Sequence, residues 1–307
     1  MVLLASCRYS GEWRNGRRAG FRCQCSQGRG GSSPPSPTMG QLAELRRSQN
    51  LLWNLTLREL RAKYRRSFLG WAWSMLNPLS NMLIYWFVFG VVFGATAPKG
   101  DPSGLQVYAL YLLSGILPWG FFSLVTNLGM GSLLSNAGLV RKVYFARETL
   151  VFAQVIFSFV QFCIEMSLLC VALIIAGSPI LPWIPVAFLM MVLLAIYASG
   201  FALALSASAV YFRDLRYLWT IIIQVMFFAT PIIYPPDRLD GRLSRPLELI
   251  FTWNPMAVFV QSFRHLLYSG TSPEWGHLGY LAVVSIMSLI AGWFIFVGLS
   301  RRIAEEL

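Results

Sequence analysis

Charge is almost absent from five long stretches of this chain, and that absence limits what it can fold into more than any other feature. Residues 67–98 and 102–140 contain no Asp, Glu, Lys or Arg, residues 149–212 contain only Glu165, and residues 217–236 and 275–300 again contain none. A helix needs roughly 20 apolar residues to cross a bilayer, so each stretch can hold a span and the longest can hold two. Only 12% of the 307 residues are charged and 56% are hydrophobic, whereas soluble domains run nearer a quarter charged. The chain reads as an all-α integral membrane protein. This excludes a disordered chain, a disulfide scaffold and a cytosolic enzyme.

Gly177-Ser-Pro-Ile-Leu-Pro182 and Pro185 break the longest stretch into two helices. The pattern then predicts six transmembrane helices, at about 79–97, 107–134, 149–176, 186–210, 217–234 and 278–299. Ahead of them, residues 41–66 repeat with helical period. Leu42, Leu45, Leu52, Trp53, Leu57, Leu60 and Tyr64 fall on one side of an ideal wheel, and Glu44, Arg47, Arg58, Arg61, Arg65 and Arg66 fall opposite. Leu51, Leu55, Arg46 and Lys63 do not fit. A basic amphipathic helix just before a span suits the membrane interface; a solvated charged face that merely orients the chain fits the same pattern. Residues 247–268 are apolar but broken by Asn254-Pro255, and they carry Arg264 and His265. Two short outward helices between spans five and six suit them better than a seventh span, because an Arg near mid-membrane is costly and Pro interrupts the backbone ladder.

Lys and Arg fix the expected orientation. Fourteen lie in segments on the amino-terminal side of the spans, including Arg141, Lys142, Arg147, Arg213, Arg216, Arg301 and Arg302, and five lie opposite. Both termini are therefore expected in the cytoplasm. The net charge of +12 is largely this topological signal and does not point to nucleic acid. Residues 1–38 hold six Arg against one Glu and are rich in Gly, Ser and Pro, which predicts a disordered leader outside a working protein that starts near Met39. Residues 39–70 would form the interfacial helix and residues 71–307 the six-span domain. Cys23 and Cys25 lack the second Cys or His pair of a zinc site, while Cys163 and Cys170 lie in a span and act as small apolar residues.

The sequence contains no Gly-x-x-x-x-Gly-Lys-Ser/Thr phosphate loop, no His-Glu-x-x-His and no Gly-x-Ser-x-Gly. No catalytic residue, metal or cofactor is expected in the chain itself, so the energy for any transport comes from elsewhere. Gln154, Ser158, Gln161 and Glu165 form one polar stripe on the third span. An intramembrane carboxylate is a functional candidate, and interhelical hydrogen bonding explains the stripe equally well. Tyr108, Tyr111, Gly115, Trp119, Phe122 and Thr126 form a second stripe on span two. Aromatic faces can pack against sugar C–H groups; an interfacial belt with ordinary helix packing is the other reading. The loop Leu139-Val-Arg-Lys-Val-Tyr-Phe-Ala-Arg-Glu148 mixes charge with aromatics, as a short helix docking on a soluble partner would.

Five patterns occur in order: Arg61-Ala-Lys-Tyr-Arg-Arg-Ser-Phe-Leu-Gly-Trp-Ala-Trp-Ser-Met-Leu-Asn-Pro78, the loop at 139–148, Tyr211-Phe-Arg-Asp-Leu-Arg216, Thr230-Pro-Ile-Ile-Tyr-Pro235 and Trp253-Asn-Pro255. Together they resemble the permease subunit of ABC-2 type polysaccharide exporters, the group that handles O antigen, capsule, teichoic acid and related lipid-linked glycans. The resemblance covers about Leu42 to the end. It implies a homodimer in the plasma (inner) membrane, bound to two separate ABC ATPase subunits that carry ATP and Mg. It also implies coupling to the ATPase through Arg141, Lys142, Val143, Tyr144, Phe145 and Arg147. Lipid-pyrophosphate would enter near Arg65, Arg66, Leu69 and Gly70, and a channel would be lined by Tyr108, Tyr111, Trp119, Phe122, Gln154, Ser158, Gln161 and Glu165. Residues 248–268 resemble paired outward gate helices. Export of small lipophilic compounds, or a multispan lipid-linked sugar transferase using Asp237, Asp240, His265 and His277, are the alternatives.

Overall fold

A computed structural model describes residues 49–64, 72–94, 97–142, 145–233 and 253–300. Helix α1 (Gln49–Tyr64) is followed by α2 (Ala72–Tyr85), which widens into a π-helical stretch at Trp86–Val92. Next come α3 (Tyr108–Ser135), the short α4 (Ala137–Lys142), α5 (Glu148–Ile175) and α6 (Ile184–Tyr211), the last preceded by a 3-10 turn at Leu181–Trp183. Helix α7 (Leu215–Ala229), then α8 (Pro255–Phe263) with a π-helical extension Arg264–Ser269, and finally α9 (Trp275–Ser300) complete the set. No strand occurs among the described residues.

Four of the predicted spans, those in α3, α5, α6 and α9, are long and apolar enough to cross a bilayer. The other two are shorter apolar helices, Leu79–Val92 and Leu215–Ala229. The first expected span begins earlier and ends earlier than its sequence pattern suggests, because the backbone leaves the helix and Gly94 takes φ +56°. The fifth stops at Ala229, short of the expected 234. Pro231 has no N–H to continue the ladder, and it forces Thr230 into an extended conformation (φ −98°, ψ 126°). Of the two outward helices expected within 247–268, only the Pro255–Phe263 helix lies within the described residues; much of the other segment lies outside them.

Helix α3 is the axis of the bundle. Inside its most apolar window 78% of residues are buried, against 28% in α5 and in α9, so the latter two lie on the periphery. It packs on α5 and α6, and α6 packs on α9. The α6–α9 contact runs backbone against backbone: a Cβ at Gly292 would collide with the Gly200 carbonyl, and one at Gly200 with Ser288. Small residues are what allow helices to approach this closely without water to drive them together. Ser288 adds a hydrogen bond, its Oγ donating to the Tyr197 carbonyl at 2.9 Å.

Tertiary hydrogen bonds sort the helix ends into two groups. At one end the Arg58 guanidinium donates to Asn136, Tyr211 Oη donates to the Leu299 carbonyl at 2.7 Å, and Arg147 Nη1 donates to the Ser300 carbonyl. At the other end Ser178 Oγ donates to the Leu267 carbonyl at 3.0 Å and Tyr268 Oη to the Leu105 carbonyl at 2.8 Å. Helices α3, α5, α6 and α9 alternate in direction between these ends, with Arg58, Arg141, Lys142 and Arg147 gathered at the first.

Helix α1 lies against α5. It buries Leu55 and Thr56, with Leu51 and Leu52 half-buried beside them, while Trp53 is 61% exposed. This accounts for Leu51 and Leu55, which the wheel leaves over. They form a protein-facing stripe, and Trp53 is turned away from the bundle.

Candidate functional site

The motif Thr230-Pro-Ile-Ile and the motif Trp253-Asn-Pro255 meet at the end of the bundle that carries α8. When α7 stops at Ala229, the Pro231 and Ile232 carbonyls are left without helical donors. Arg264, the first residue of the π extension after α8, supplies them: Nη1 donates to the Pro231 carbonyl at 2.7 Å and Nη2 donates to that of Ile232. The guanidinium lies 4.0 Å from the centre of the Tyr111 ring on α3. Gly115, one turn further on, makes room for it, since a Cβ there would stand 2.9 Å from Nη2. Arg264 is only 6% exposed, so a full charge is buried against carbonyl dipoles and an aromatic face. Helical backbone broken inside protein is tolerated where its polar groups are satisfied again.

Neighbouring bonds close the same clasp. Asn254 caps α8, its Oδ1 accepting from the Met256 N–H at 3.1 Å, and its Nδ2 donates to Thr230 Oγ1 at 3.2 Å. Tyr108 Oη donates to the Ile233 carbonyl at 2.6 Å. Tyr111 meets Tyr268 edge-on, with ring centroids 5.5 Å apart. The sequence places Arg264 outside a span but gives no hint that it is the centre of this joint. The only signal is indirect: a Pro-broken span ahead of an apolar segment that contains one Arg.

The aromatic stripe of α3 packs against neighbouring helices over much of its length. Trp119 contacts Phe122 and Phe227, with centroids 5.9 and 5.8 Å away. Phe122 stacks on Tyr197 at 5.6 Å and is wholly buried. Thr126 Oγ1 accepts from Trp219 Nε1 at 3.2 Å, which ties α7 to α3. Tyr108 alone of the four expected channel aromatics is half-exposed; Tyr111, Trp119 and Phe122 are enclosed. On α5, Gln161 Nε2 donates to Glu165 Oε1 at 2.9 Å and both residues are half-buried. Ser158 is fully buried and Gln154 is 9% exposed.

At the opposite end, Arg141 and Lys142 are exposed on the last turn of α4. Phe145 is half-buried against the core. Arg147 turns inward and meets the carboxyl end of α9, where a cation complements the unpaired carbonyls. Val143 and Tyr144 lie outside the described residues, as do Arg65, Arg66, Leu69 and Gly70. Of the residues that a transferase would use, His265 is exposed, and His277 Nδ1 lies 3.0 Å from Glu274 Oε2; Asp237 and Asp240 lie outside the described residues. Among the described residues no group of three or more His, Cys, Asp or Glu is arranged to hold a metal.

Residues 50–268 match the ABC-2 type transporter family. The chain is 31% identical to an O-antigen export system permease protein, RfbA, of Myxococcus xanthus, across 86% of this chain and 98% of the relative. It is 29% identical to an RfbA protein of Klebsiella pneumoniae, across 84% of this chain and 95% of the relative. A polysialic acid transport protein of Escherichia coli, KpsM, is 25% identical across 78% of this chain and 89% of the relative.

Proposed function

Because the chain belongs to the ABC-2 type transporter family, we propose that it is the membrane subunit of an ATP-driven exporter that moves a lipid-linked polysaccharide out of the cytoplasm. One observation carries this reading. The family match runs from α1 through α8, and the relatives that match 78–86% of the chain are permeases for O antigen and a transport protein for polysialic acid. Nearly the whole length of each relative is covered, so the resemblance is to an entire subunit.

In this reading two copies of the chain pair in the inner membrane, six helices each, with both termini cytoplasmic and α1 lying in the interface. The unequal distribution of Lys and Arg supports that orientation. Two separate ATPase subunits bind and hydrolyse ATP with Mg and dock on α4 and the loop after it. Arg141 and Lys142 offer charge there, and Val143, Tyr144 and Phe145 offer apolar contact. Arg147 carries the movement onward, because its bond to Ser300 ties the loop to α9. The pyrophosphate end of the substrate enters beside Arg65, Arg66, Leu69 and Gly70, where a planar guanidinium can pair two phosphate oxygens. Glycan then passes along the seam between protomers. Tyr108, Gln161 and Glu165 are the residues of the expected set that keep exposed surface, and Tyr111, Trp119, Phe122, Gln154 and Ser158 support the wall behind them. The Arg264 clasp holds the outward helices as the lid over that seam.

Deletion of the gene tests the proposal. Surface glycan should be lost and lipid-linked glycan should accumulate inside the cell, with both effects reversed by the wild-type gene. Normal surface glycan with an unchanged intracellular pool would end it.

A further inference from the structure

Helices α6 and α9 have no room to come closer than they are, because Gly200 and Gly292 already meet backbone to backbone. A groove of about 420 Å³ runs beside that contact, from Tyr197 to Ala204 on α6 and from Val284 to Ile295 on α9. It is lined almost wholly by carbon, and the Ser288 hydroxyl within it is already bonded to the Tyr197 carbonyl. Its walls are fixed. Phe201 packs against Phe122 and Trp219, with ring centroids 5.5 and 6.1 Å away, and Tyr197 stacks on Phe122. The groove therefore persists: the seam does not close over it, and the rings do not swing in to fill it. It opens away from the bundle, since Met287 is 63% and Ile295 43% exposed on its rim. Both helices are long and apolar enough to cross a bilayer, so the opening lies at membrane depth.

The dimensions select the occupant. At 1.5 Å per residue the lining extends about 10 Å along α6 and about 16 Å along α9. Spread over that length, 420 Å³ gives a mean width of about 6–7 Å. A helix with its side chains is about 10–12 Å across, so a span of a second copy does not lie in it. Carbon atoms in contact stand about 3.5–4.0 Å apart, and an unbranched hydrocarbon chain, about 4–5 Å wide on that measure, does fit. The length agrees as well. A hydrocarbon core about 30 Å thick is two acyl chains deep, so one chain spans about 15 Å. A polyprenyl chain carries methyl branches and is longer than one leaflet is deep, which suits this groove less well. Water does not drive apolar groups together inside a membrane; what favours filling is dispersion, because an empty groove forfeits contacts along its whole lining.

We propose that this groove binds one acyl chain of a membrane phospholipid. On α9 the lining ends about 6 Å short of Leu299, so the lipid belongs to the leaflet at the end where Tyr211 meets the Leu299 carbonyl. The acyl chain completes the α6–α9 seam. The site depends on the protein spanning a membrane and not on what it exports.

Native mass spectrometry of the full-length chain purified in dodecyl maltoside tests this, with melting temperature read alongside. Wild type should retain one diacyl phospholipid per chain. Stripping that lipid with a harsher detergent should lower melting by about 5 °C, and added phosphatidylethanolamine should restore it. Ala291→Phe and Ala204→Phe each put a ring where the acyl chain lies. Either should cut retention about fivefold or more and abolish the response of melting to stripping, because the ring fills the space. Ile290→Phe, next on α9 but outside the lining and half-exposed, should behave as wild type. Full retention by the folded groove variants overturns the proposal, as does a wild type that keeps no lipid and melts alike before and after stripping. A retained polyprenyl lipid in place of the phospholipid also overturns it. So does a fall in oligomer mass with Ala291→Phe at unchanged lipid content, which would put a second copy on this face.

Discussion

Replacing Arg264 by Met removes the head of the clasp and keeps most of its bulk. Two hydrogen bonds from a charged donor disappear, each worth about 1.5–3 kcal/mol, together with a cation–π contact to Tyr111 worth about 0.5–2 kcal/mol. These contributions overlap, since they share one guanidinium and the freed carbonyls will partly recruit other donors. The net loss should lie at the low end, about 3–4 kcal/mol. For a chain of this size that is a fall of roughly 6–15 °C in melting temperature, read by tryptophan fluorescence of the purified protein in detergent. Arg264→Lys should recover less than half of it, because one ammonium cannot bridge two carbonyls as a planar fork does. Gly115→Ala, which drives a methyl toward Nη2, should lower melting in the same direction by a smaller amount. An Arg264→Met protein that melts within about 1 °C of wild type would refute the claim that this residue holds α7 to α8.

Gly292→Leu should abolish folded protein, judged by a monodisperse size-exclusion peak, since its side chain would enter the Gly200 backbone; Gly298→Leu on the same helix has open space and should express normally. Arg147→Gln with Tyr211→Phe should free the carbonyls of Leu299 and Ser300, costing about 1–3 kcal/mol together and raising hydrogen exchange in the last turn of α9 above the rest of that helix. Arg141→Glu with Lys142→Glu reverses two exposed charges. It should leave stability within about 0.5 kcal/mol of wild type and still remove the ATPase subunit from the purified complex.

The full-length spans could be read directly because lipid imposes a one-sided rule: a long charge-free run must be helical and must cross. The break in the longest run followed from Gly177 through Pro182, and Asn254-Pro255 marked the start of α8. What could not be read was tertiary satisfaction. Arg264 looked like a charge to be kept out of the membrane because its partners are backbone carbonyls of Pro231 and Ile232, which no side-chain pattern displays. The wheel leaves Leu51 and Leu55 of α1 over for a related reason. A wheel sorts residues into one apolar and one polar face, whereas this helix has the bundle on one side of Leu55 and open surface around Trp53. Likewise, the periodicity of Phe122 and Trp119 shows that they share a side of α3 but not what they touch, and their neighbours, the rings of Tyr197 and Phe227, come from other helices.

The most direct measurement is transport in proteoliposomes that contain purified chain, its partner ATPase and a labelled lipid-linked polysaccharide on the ATPase side. With both proteins and Mg-ATP, the glycan should become inaccessible to added hydrolase as it moves to the other side, and omission of either protein or of ATP should stop this. Movement or chemical conversion of the substrate by the chain alone would contradict the account.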